Sequence, residues 1–127
     1  MEKGEKNVMV VDDDASIINV VKKLLEPRGI SVVGVTTGNE CLAELENGFR
    51  GVVLMDVVMP NMDGWDTIKE IVDRGYKDRV IISMLTGKGE PDKKMDNLKE
   101  YVLDYIKKPF SSKNLVTVVE EYLGYLT

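Results

Sequence analysis

The stretch G-V-V-L-M-D, residues 51–56, decides the fold of this 127-residue chain. Its first five residues are apolar on both faces of an extended backbone, which is typical of a central parallel strand that helices cover on both sides. The apolar run stops at Asp56, where a purely structural role would bury a charge without a reason. The stretch therefore predicts a parallel sheet with a functional carboxylate at the end of a buried strand.

Four further apolar runs read as strands, at residues 7–11, 30–35, 80–85 and 103–107. Helical spacing follows the first run and ends near Pro27 and Gly29. A capping-box pattern from Thr37 to Glu40 opens a second helix that ends near Asn47. The apolar spacing from Trp65 to Val72 predicts a third helix.

Two more helices are predicted near the end of the chain. Pro91 suits a first helical turn, and Met95, Leu98 and Val102 form an apolar stripe behind it. The last helix has the clearest amphipathic pattern: Leu115, Val118, Val119, Tyr122 and Leu123. Five strands alternating with five helices predict an α/β fold with right-handed crossovers and an open parallel sheet, doubly wound.

Reactive side chains stand at four of these strand ends. They are Asp12 and Asp13, then Asp56, then Thr86, and finally Lys108 before Pro109. In a parallel sheet these ends meet at one edge, where such folds bind their ligands. Asp14 is set apart, because an aspartate in that position is favoured as a helix N-cap.

The chemistry of this set indicates a divalent cation and a phosphoryl group. Three clustered carboxylates repel one another and need a cation, and Mg²⁺ accepts such ligands while leaving room for phosphate oxygens. Asp56 facing a metal could attack phosphorus in line and form an aspartyl phosphate. The hydroxyl of Thr86 and the ammonium of Lys108 could bind the phosphoryl oxygens that the metal does not reach.

Composition narrows the classes of function. The chain has no histidine and a net charge of −5, which disfavours imidazole catalysis and direct nucleic-acid contact. The single Cys41 cannot form an internal disulfide, which favours a cytoplasmic protein. The chain has no long apolar stretch and a polar N-terminus, so we expect neither a membrane segment nor a signal peptide. We expect residues 1–6 to form a flexible tail and residues 7–127 to form one domain.

Four motifs together resemble the receiver domain of two-component response regulators, as found in single-domain chemotaxis regulators. They are VVDDD at residues 10–14, LMDVVMPNMDG at 54–64, LTG at 85–87 and DYIKKPF at 104–110. The resemblance covers nearly the whole chain. It implies a flavodoxin-like sheet with strand order 2-1-3-4-5, and a phosphoacceptor switch that assists its own phosphorylation and dephosphorylation rather than an enzyme.

The resemblance also assigns roles to particular residues. Asp56 would take a phosphoryl group from a sensor histidine kinase or a His-containing phosphotransfer protein. Mg²⁺ would be held by Asp13, Asp56 and the backbone carbonyl of Val58, with Asp12 acting mainly through water. Thr86 and Lys108 would contact the phosphoryl group.

The remaining implied features concern the output of the switch. Tyr105 would turn inward as Thr86 moves, and the peptide bond between Lys108 and Pro109 would be cis. The surface of the fourth helix, fifth strand and fifth helix would then change its contact with an unknown downstream protein. A phosphorylation-dependent homodimer is compatible with this scheme.

Some positions depart from the usual pattern of the family. Tyr101-Val102 replaces a common Gly-Ala pair before the fifth strand, so we expect a differently closed fourth helix. Gly87 replaces a more frequent alanine. The two positions that tune phosphoryl lifetime fall on Val58 and Lys88, and Val58 offers no group to orient an attacking water.

Two other functions fit parts of the sequence. A haloacid-dehalogenase-type phosphatase would use Asp12 as nucleophile and Asp14 as acid/base, but it leaves Asp56 unexplained. A flavodoxin-like binding module without phosphorylation would need a phosphate-cradling loop after the first strand. The chain instead places three acids there, and these would repel a phosphate.

Overall fold

The structure, a computed structural model, describes residues 6–87 and 93–126. The predictions for residues 1–5, Lys88 and Pro91 fall outside these residues. The predicted fold class is confirmed.

The strands form one parallel sheet in the order β2-β1-β3-β4-β5. Their bounds are β1 Asn7–Val11, β2 Ser31–Val35, β3 Gly51–Asp56, β4 Val80–Thr86 and β5 Val102–Lys107. Asp56 and Thr86 are thus the last residues of their strands rather than the first residues after them. The register between β4 and β5 shifts at Ile82 and Ser83, so that Leu103 is passed over in the pairing.

In the described residues, four α-helices cover the sheet: α1 Ala15–Leu25, α2 Gly38–Glu46, α3 Gly64–Asp73 and α4 Ser112–Gly124. Asp14 caps α1 as predicted, because its side chain accepts a hydrogen bond from the Ser16 N–H at 2.9 Å. Thr37 caps α2 by accepting from the Glu40 N–H. The Glu40 carboxylate accepts from the N–H of Thr36, one residue before the expected partner.

The predicted count of five helices differs from the structure in one element. The segment Lys93–Tyr101 is a 3₁₀-helix, and Val102, expected on the helical stripe, is the first residue of β5. This segment is strongly polar, and Leu98 is its only residue among the buried core residues that the structure describes. So few apolar residues do not define the face of an α-helix.

Hydrophobic clusters lie on both faces of the sheet. Met9, Val53, Met55 and Met84 point to the face covered by α2 and α3. Val8, Val10, Val52 and Leu54 point to the face covered by α1 and α4. Every residue of β3 is buried, which confirms that this strand is covered on both sides. In the parts of the chain that the structure describes, no helix is both long and apolar enough to cross a membrane.

Candidate functional site

The carboxyl edge of the sheet brings the predicted acids together. β1 and β3 are neighbours, so the residues that follow Val11 lie beside the end of β3 at Asp56. One carboxylate oxygen from each of Asp12, Asp13 and Asp56 lies within 4.8 Å of the others. Asp12 and Asp56 are buried, whereas Asp13 is exposed. The result is an acidic pocket with one wall open to solvent.

This donor set fits a small hard cation. Mg²⁺ prefers carboxylate and carbonyl oxygens and keeps several waters, so a cluster that is buried on one side and open on the other suits it. The carboxylates are also close enough to repel one another strongly when no cation is present. The chemistry of the residues therefore agrees with the magnesium site that the sequence predicts.

Lys108 supplies the positive charge within the pocket. Its Nζ donates to Oδ2 of Asp12 at 2.8 Å and to Oδ1 of Asp56 at 3.4 Å. Burial on its own would lower the pKa of Lys108, but the hydrogen bond to Asp12 and the two carboxylate charges outweigh it and raise the pKa. Lys108 is therefore a firmly protonated ammonium group beside Asp56.

Both oxygens of Asp12 already have partners. Oδ2 accepts from Lys108, and Oδ1 accepts from the backbone N–H of Asp14 at 2.9 Å. A carboxylate held in this way has little freedom to move toward an ion, so a bridging water is the easier contact. This arrangement supports the indirect role that the family resemblance implies for Asp12.

Asp56 is held through one of its oxygens. Oδ1 accepts from Lys108 and, at 3.4 Å, from the backbone N–H of Val58. Burial and the negative charge of Asp12 raise the pKa of Asp56 from 3.8 to about 6, against the opposing effect of Lys108. The charged form of Asp56 is thus disfavoured until a cation or another positive charge approaches.

The loop after β3 is fixed to its surroundings by the backbone. The Gly64 N–H donates to the Val57 carbonyl at 2.9 Å, and the Val57 N–H donates to the Leu85 carbonyl at 3.1 Å. A Cβ on Gly64 would lie 2.5 Å from the carbonyl oxygen of Asp56, so this close approach requires glycine. Sequence reasoning gave Gly64 no role, although the residue lies within the quoted motif.

The other predicted site residues lie around this pocket. Thr86 is half-buried, and its carbonyl accepts from the Lys108 N–H at 2.7 Å. The peptide bond between Lys108 and Pro109 is cis. Val58 is 72% exposed beside Asp56, so its side chain borders the mouth of the pocket.

Tyr105 lies apart from the acids. It is 40% exposed on β5, and its ring centroid is 6.5 Å from that of Trp65, at the start of α3. Burial of its ring raises the pKa of Tyr105. The ring is thus partly buried and partly exposed to solvent.

Sequence reasoning missed a polar network between β4, β5 and α4. The Tyr122 hydroxyl donates to Oδ2 of Asp104 at 2.7 Å and lies 3.1 Å from Oγ of Ser83. Burial, together with the Asp104 carboxylate, raises the pKa of Tyr122, which therefore stays a neutral donor. The only sequence signal was a tyrosine in an apolar helical stripe, and such a residue often uses its hydroxyl when buried.

A doubly wound parallel sheet with the strand order 2-1-3-4-5 and a cluster of three acids at its carboxyl edge places the chain in the flavodoxin-like class of α/β domains. The sequence model of the response regulator receiver domain family matches residues 8–120, so the chain belongs to that family. Its members are phosphoacceptor switches of two-component systems rather than classical enzymes. This assignment favours neither the phosphatase nor the passive binding module.

Solved structures agree with the assignment. A CheY-like receiver domain protein from Methanospirillum hungatei JF-1 is 44% identical, with a TM-score of 0.90 over 95% of this chain and 96% of that one. The chemotaxis protein CheY4 of Vibrio cholerae is 30% identical, with a TM-score of 0.80 over 92% of this chain and 98% of that one. Both likenesses extend over nearly the whole of the compared chains.

Curated relatives are longer than this chain. The alkaline phosphatase synthesis transcriptional regulatory protein PhoP of Bacillus subtilis is 33% identical over 93% of this chain and 48% of its own length. The probable transcriptional regulator ycf27 of Pyropia yezoensis is 34% identical over 97% of this chain and 49% of its own. The chain therefore spans about half the length of these relatives.

Proposed function

We propose that Asp56 is the phosphoacceptor and that it takes its phosphoryl group from the phosphohistidine of a sensor histidine kinase or a His-containing phosphotransfer protein. The observation that carries this proposal is the contact of Asp56 with Lys108 inside a cluster of three carboxylates. Asp56 is also buried at the centre of this pocket, and its pKa is raised.

The transfer itself needs little from the protein beyond position and charge. A carboxylate oxygen of Asp56 forms a bond to phosphorus while the P–N bond of phosphohistidine breaks. The electron pair of that bond stays with the imidazole nitrogen. Lys108 is protonated and lies beside Asp56, so its ammonium group could stabilise the negative charge that develops on a phosphoryl oxygen.

We further propose that Asp13, Asp56 and the Val58 carbonyl hold Mg²⁺, with Asp12 acting through water. The ion would neutralise part of the charge on the acids and on the incoming phosphoryl group. The domain would in this way assist its own phosphorylation and dephosphorylation. The two hydrogen bonds that occupy Asp12, and the exposure of Asp13, support this division of ligands.

The switch that follows would use Thr86 and Tyr105. We propose that Thr86 moves toward the phosphoryl group, that Tyr105 turns inward, and that the surface of the 3₁₀-helix, β5 and α4 then changes its contacts. A downstream protein, or a second copy of the domain, would respond to that surface. We place the domain in the cytoplasm, which suits the buried, unpaired thiol of Cys41.

Phosphorylation with phosphoramidate tests the assignment, because this small donor carries a P–N bond like that of phosphohistidine. We expect the chain to gain one phosphoryl group in the presence of Mg²⁺ and to lose this ability with EDTA. Peptide mapping should place the acid-labile phosphate on Asp56. The variant Asp56→Asn should gain none, whereas Asp14→Asn, which alters an exposed acid nearby, should behave as the wild type.

Other outcomes of the same experiment would redirect the assignment. Phosphate on Asp12 would point to phosphatase-like chemistry, and no labelling under any condition would point to a passive module. Sedimentation with and without beryllofluoride, a mimic of the phosphoryl group, would show whether activation forms a homodimer.

A further inference from the structure

The indole N–H of Trp65 takes no part in the proposed phosphotransfer. Trp65 is the single tryptophan of the chain and the second residue of α3, and it is 2% exposed. Among the residues that the structure describes, its Nε1–H is a buried donor without an acceptor. Buried indole N–H groups normally have a hydrogen-bond partner, so this state of the domain leaves an interaction unmade.

A suitable acceptor stands beside the indole. The ring of Tyr105 lies 6.5 Å from that of Trp65 between centroids, with an angle of 48° between the ring planes. The phenol oxygen of a tyrosine can accept a hydrogen bond. Because Tyr105 is 40% exposed, packing does not enclose its ring on all sides, and a change of χ1 rotamer would move its hydroxyl relative to Trp65.

Both aromatic residues are connected to the acidic pocket through short contacts. Trp65 follows Gly64, whose N–H donates to the carbonyl of Val57, the residue after Asp56. Tyr105 pairs in register with Met84 of β4. The Met84 Cε lies 3.0 Å from the position that a Cβ on Gly64 would take, so the β4 neighbour of Tyr105 packs close to the residue that precedes Trp65.

We propose that Trp65 is a positioning residue of the switch, and that its Nε1–H donates a hydrogen bond to the Tyr105 hydroxyl when Tyr105 turns inward. The inference rests on the proposed function, because the inward turn of Tyr105 is part of it. The unmade bond of the resting state weakens that state, and its formation favours the phosphorylated state. Trp65 thus adds to the bias that Thr86 and the phosphoryl group provide.

Nuclear magnetic resonance tests the bond directly, because one tryptophan gives one indole N–H signal. The domain would be labelled with ¹⁵N and measured with Mg²⁺ before and after addition of beryllofluoride. We expect the indole proton to move downfield in the wild type as the hydrogen bond forms. Tyr105→Phe keeps the ring but removes the acceptor, so the movement should be lost in that variant.

Controls separate this inference from the proposed function. The backbone N–H signals of Val57 and Thr86 should respond to beryllofluoride in the wild type and in Tyr105→Phe alike. Tyr76→Phe removes a hydroxyl elsewhere on α3's side of the sheet and should leave the indole response intact. The Trp65 inference is wrong if the backbone signals respond while the indole proton of the wild type stays in place. It is also wrong if the indole proton moves equally in the wild type and in Tyr105→Phe. In both cases the proposed function stands. If no backbone signal responds, the proposed function itself fails.

Binding measurements give a second test that does not depend on chemical shifts. Trp65→Phe keeps an aromatic ring and removes the donor, so we expect the affinity for beryllofluoride to fall by about two- to tenfold, the fold-change of one net hydrogen bond. Tyr105→Phe should cause a similar loss, and the double variant should lose no more than either single one. Fully additive losses would show that the two groups act independently and would overturn the inference.

Discussion

Asp56 carries a charge that its immediate surroundings oppose. Its carboxyl group is buried next to Asp12, which disfavours the ionised form, whereas Lys108 and the Val58 N–H favour it. An added positive charge near the pocket would therefore stabilise the ionised form of Asp56. At the scale of a single residue, the proposed binding of a cation would relieve a charge whose burial lowers the stability of the folded domain.

The raised pKa of Asp56 predicts how stability depends on pH without Mg²⁺. Below pH 3.8 the group is protonated in both states, whereas between 3.8 and about 6 the unfolded chain has lost the proton that the folded domain keeps. The free energy of unfolding should therefore fall as pH rises through this window. The loss is about 1–3 kcal/mol and persists above the window.

Urea unfolding in EDTA from pH 4 to 7.5 would measure this effect. The variant Asp56→Asn should lack this loss, so it should become more stable than the wild type as pH rises. Asp78→Asn, which changes a carboxylate that is 88% exposed, serves as the control and should follow the wild type. Parallel curves for the wild type and Asp56→Asn would contradict the prediction.

Val58 should govern how long the phosphoryl group lasts. Its side chain is 72% exposed beside Asp56 and has no polar atom to orient a water. We expect Val58→Asn to hydrolyse the aspartyl phosphate several-fold faster. Its stability should change by less than about 0.5 kcal/mol, because the site is exposed. The rate would be measured as loss of phosphate from the protein after removal of the phosphodonor. Val58→Ala adds no polar group and serves as the control. An unchanged rate of hydrolysis in Val58→Asn would contradict the prediction.

At the scale of the element, the start of α3 fixes the loop after β3. The helix opens with a capping box in which Asp63 accepts from the Asp66 N–H and Asp66 accepts from the Asp63 N–H. Gly64 stands against the carbonyl of Asp56, so the helix and the end of β3 are joined without space for a side chain. Any displacement of this loop must therefore be shared with α3.

Gly64→Ala tests this junction. Its Cβ would lie 2.5 Å from the Asp56 carbonyl oxygen, a backbone atom that cannot easily move aside. We expect a loss of about 2–4 kcal/mol in the free energy of unfolding, in the range of disruptive core substitutions, together with weaker Mg²⁺ binding. Gly124→Ala is the matched control, because nothing lies within 4 Å of its added Cβ and it ends a helix. Equal stability of the two variants would show that the loop can yield.

The elements that could be predicted are those whose pattern depends on local burial. β3 was recognisable because it is apolar throughout, and α4 because its apolar residues recur with helical spacing. The apolar stripe predicted for the fourth helix rested on three residues, and one of them, Val102, belongs to β5. The otherwise polar segment Lys93–Tyr101 has too few apolar residues to distinguish a 3₁₀-helix from an α-helix. The contacts of Ser83, Asp104 and Tyr122 were also inaccessible, since they depend on the shifted register between β4 and β5. The acids of the pocket could be found because each ends, or directly follows, a strand.

At the scale of the whole molecule, the helices on both faces of the sheet seal its core. Cys41 on α2 is fully buried in one of the two clusters, and burial raises the pKa of its thiol to about 12. Its reaction with a thiol reagent therefore requires opening of the fold and not merely local deprotonation. The single thiol can serve as a reporter of the folding equilibrium.

We expect Cys41 to react with such a reagent at pH 8 at least roughly a thousandfold more slowly in the folded domain than in urea, given the usual stability of small domains. Mg²⁺ should slow the reaction further, because binding to the folded state stabilises it. The rates would be followed spectroscopically through the thiol that the reagent releases when it reacts with Cys41. In Asp56→Asn the rate should no longer respond to Mg²⁺. Fast labelling of the native protein would mean that α2 opens on its own.

The shifted register of β5 also bears on how the domain behaves at high concentration. β5 is an edge of the sheet, and an exposed edge strand can recruit strands from other molecules and start aggregation. The extra residue Leu103 interrupts the regular spacing of its backbone groups, and an irregular edge is a poor template for a further strand. Copies of the domain that meet on this side should therefore associate through side chains, which can separate again, rather than through a continuous sheet.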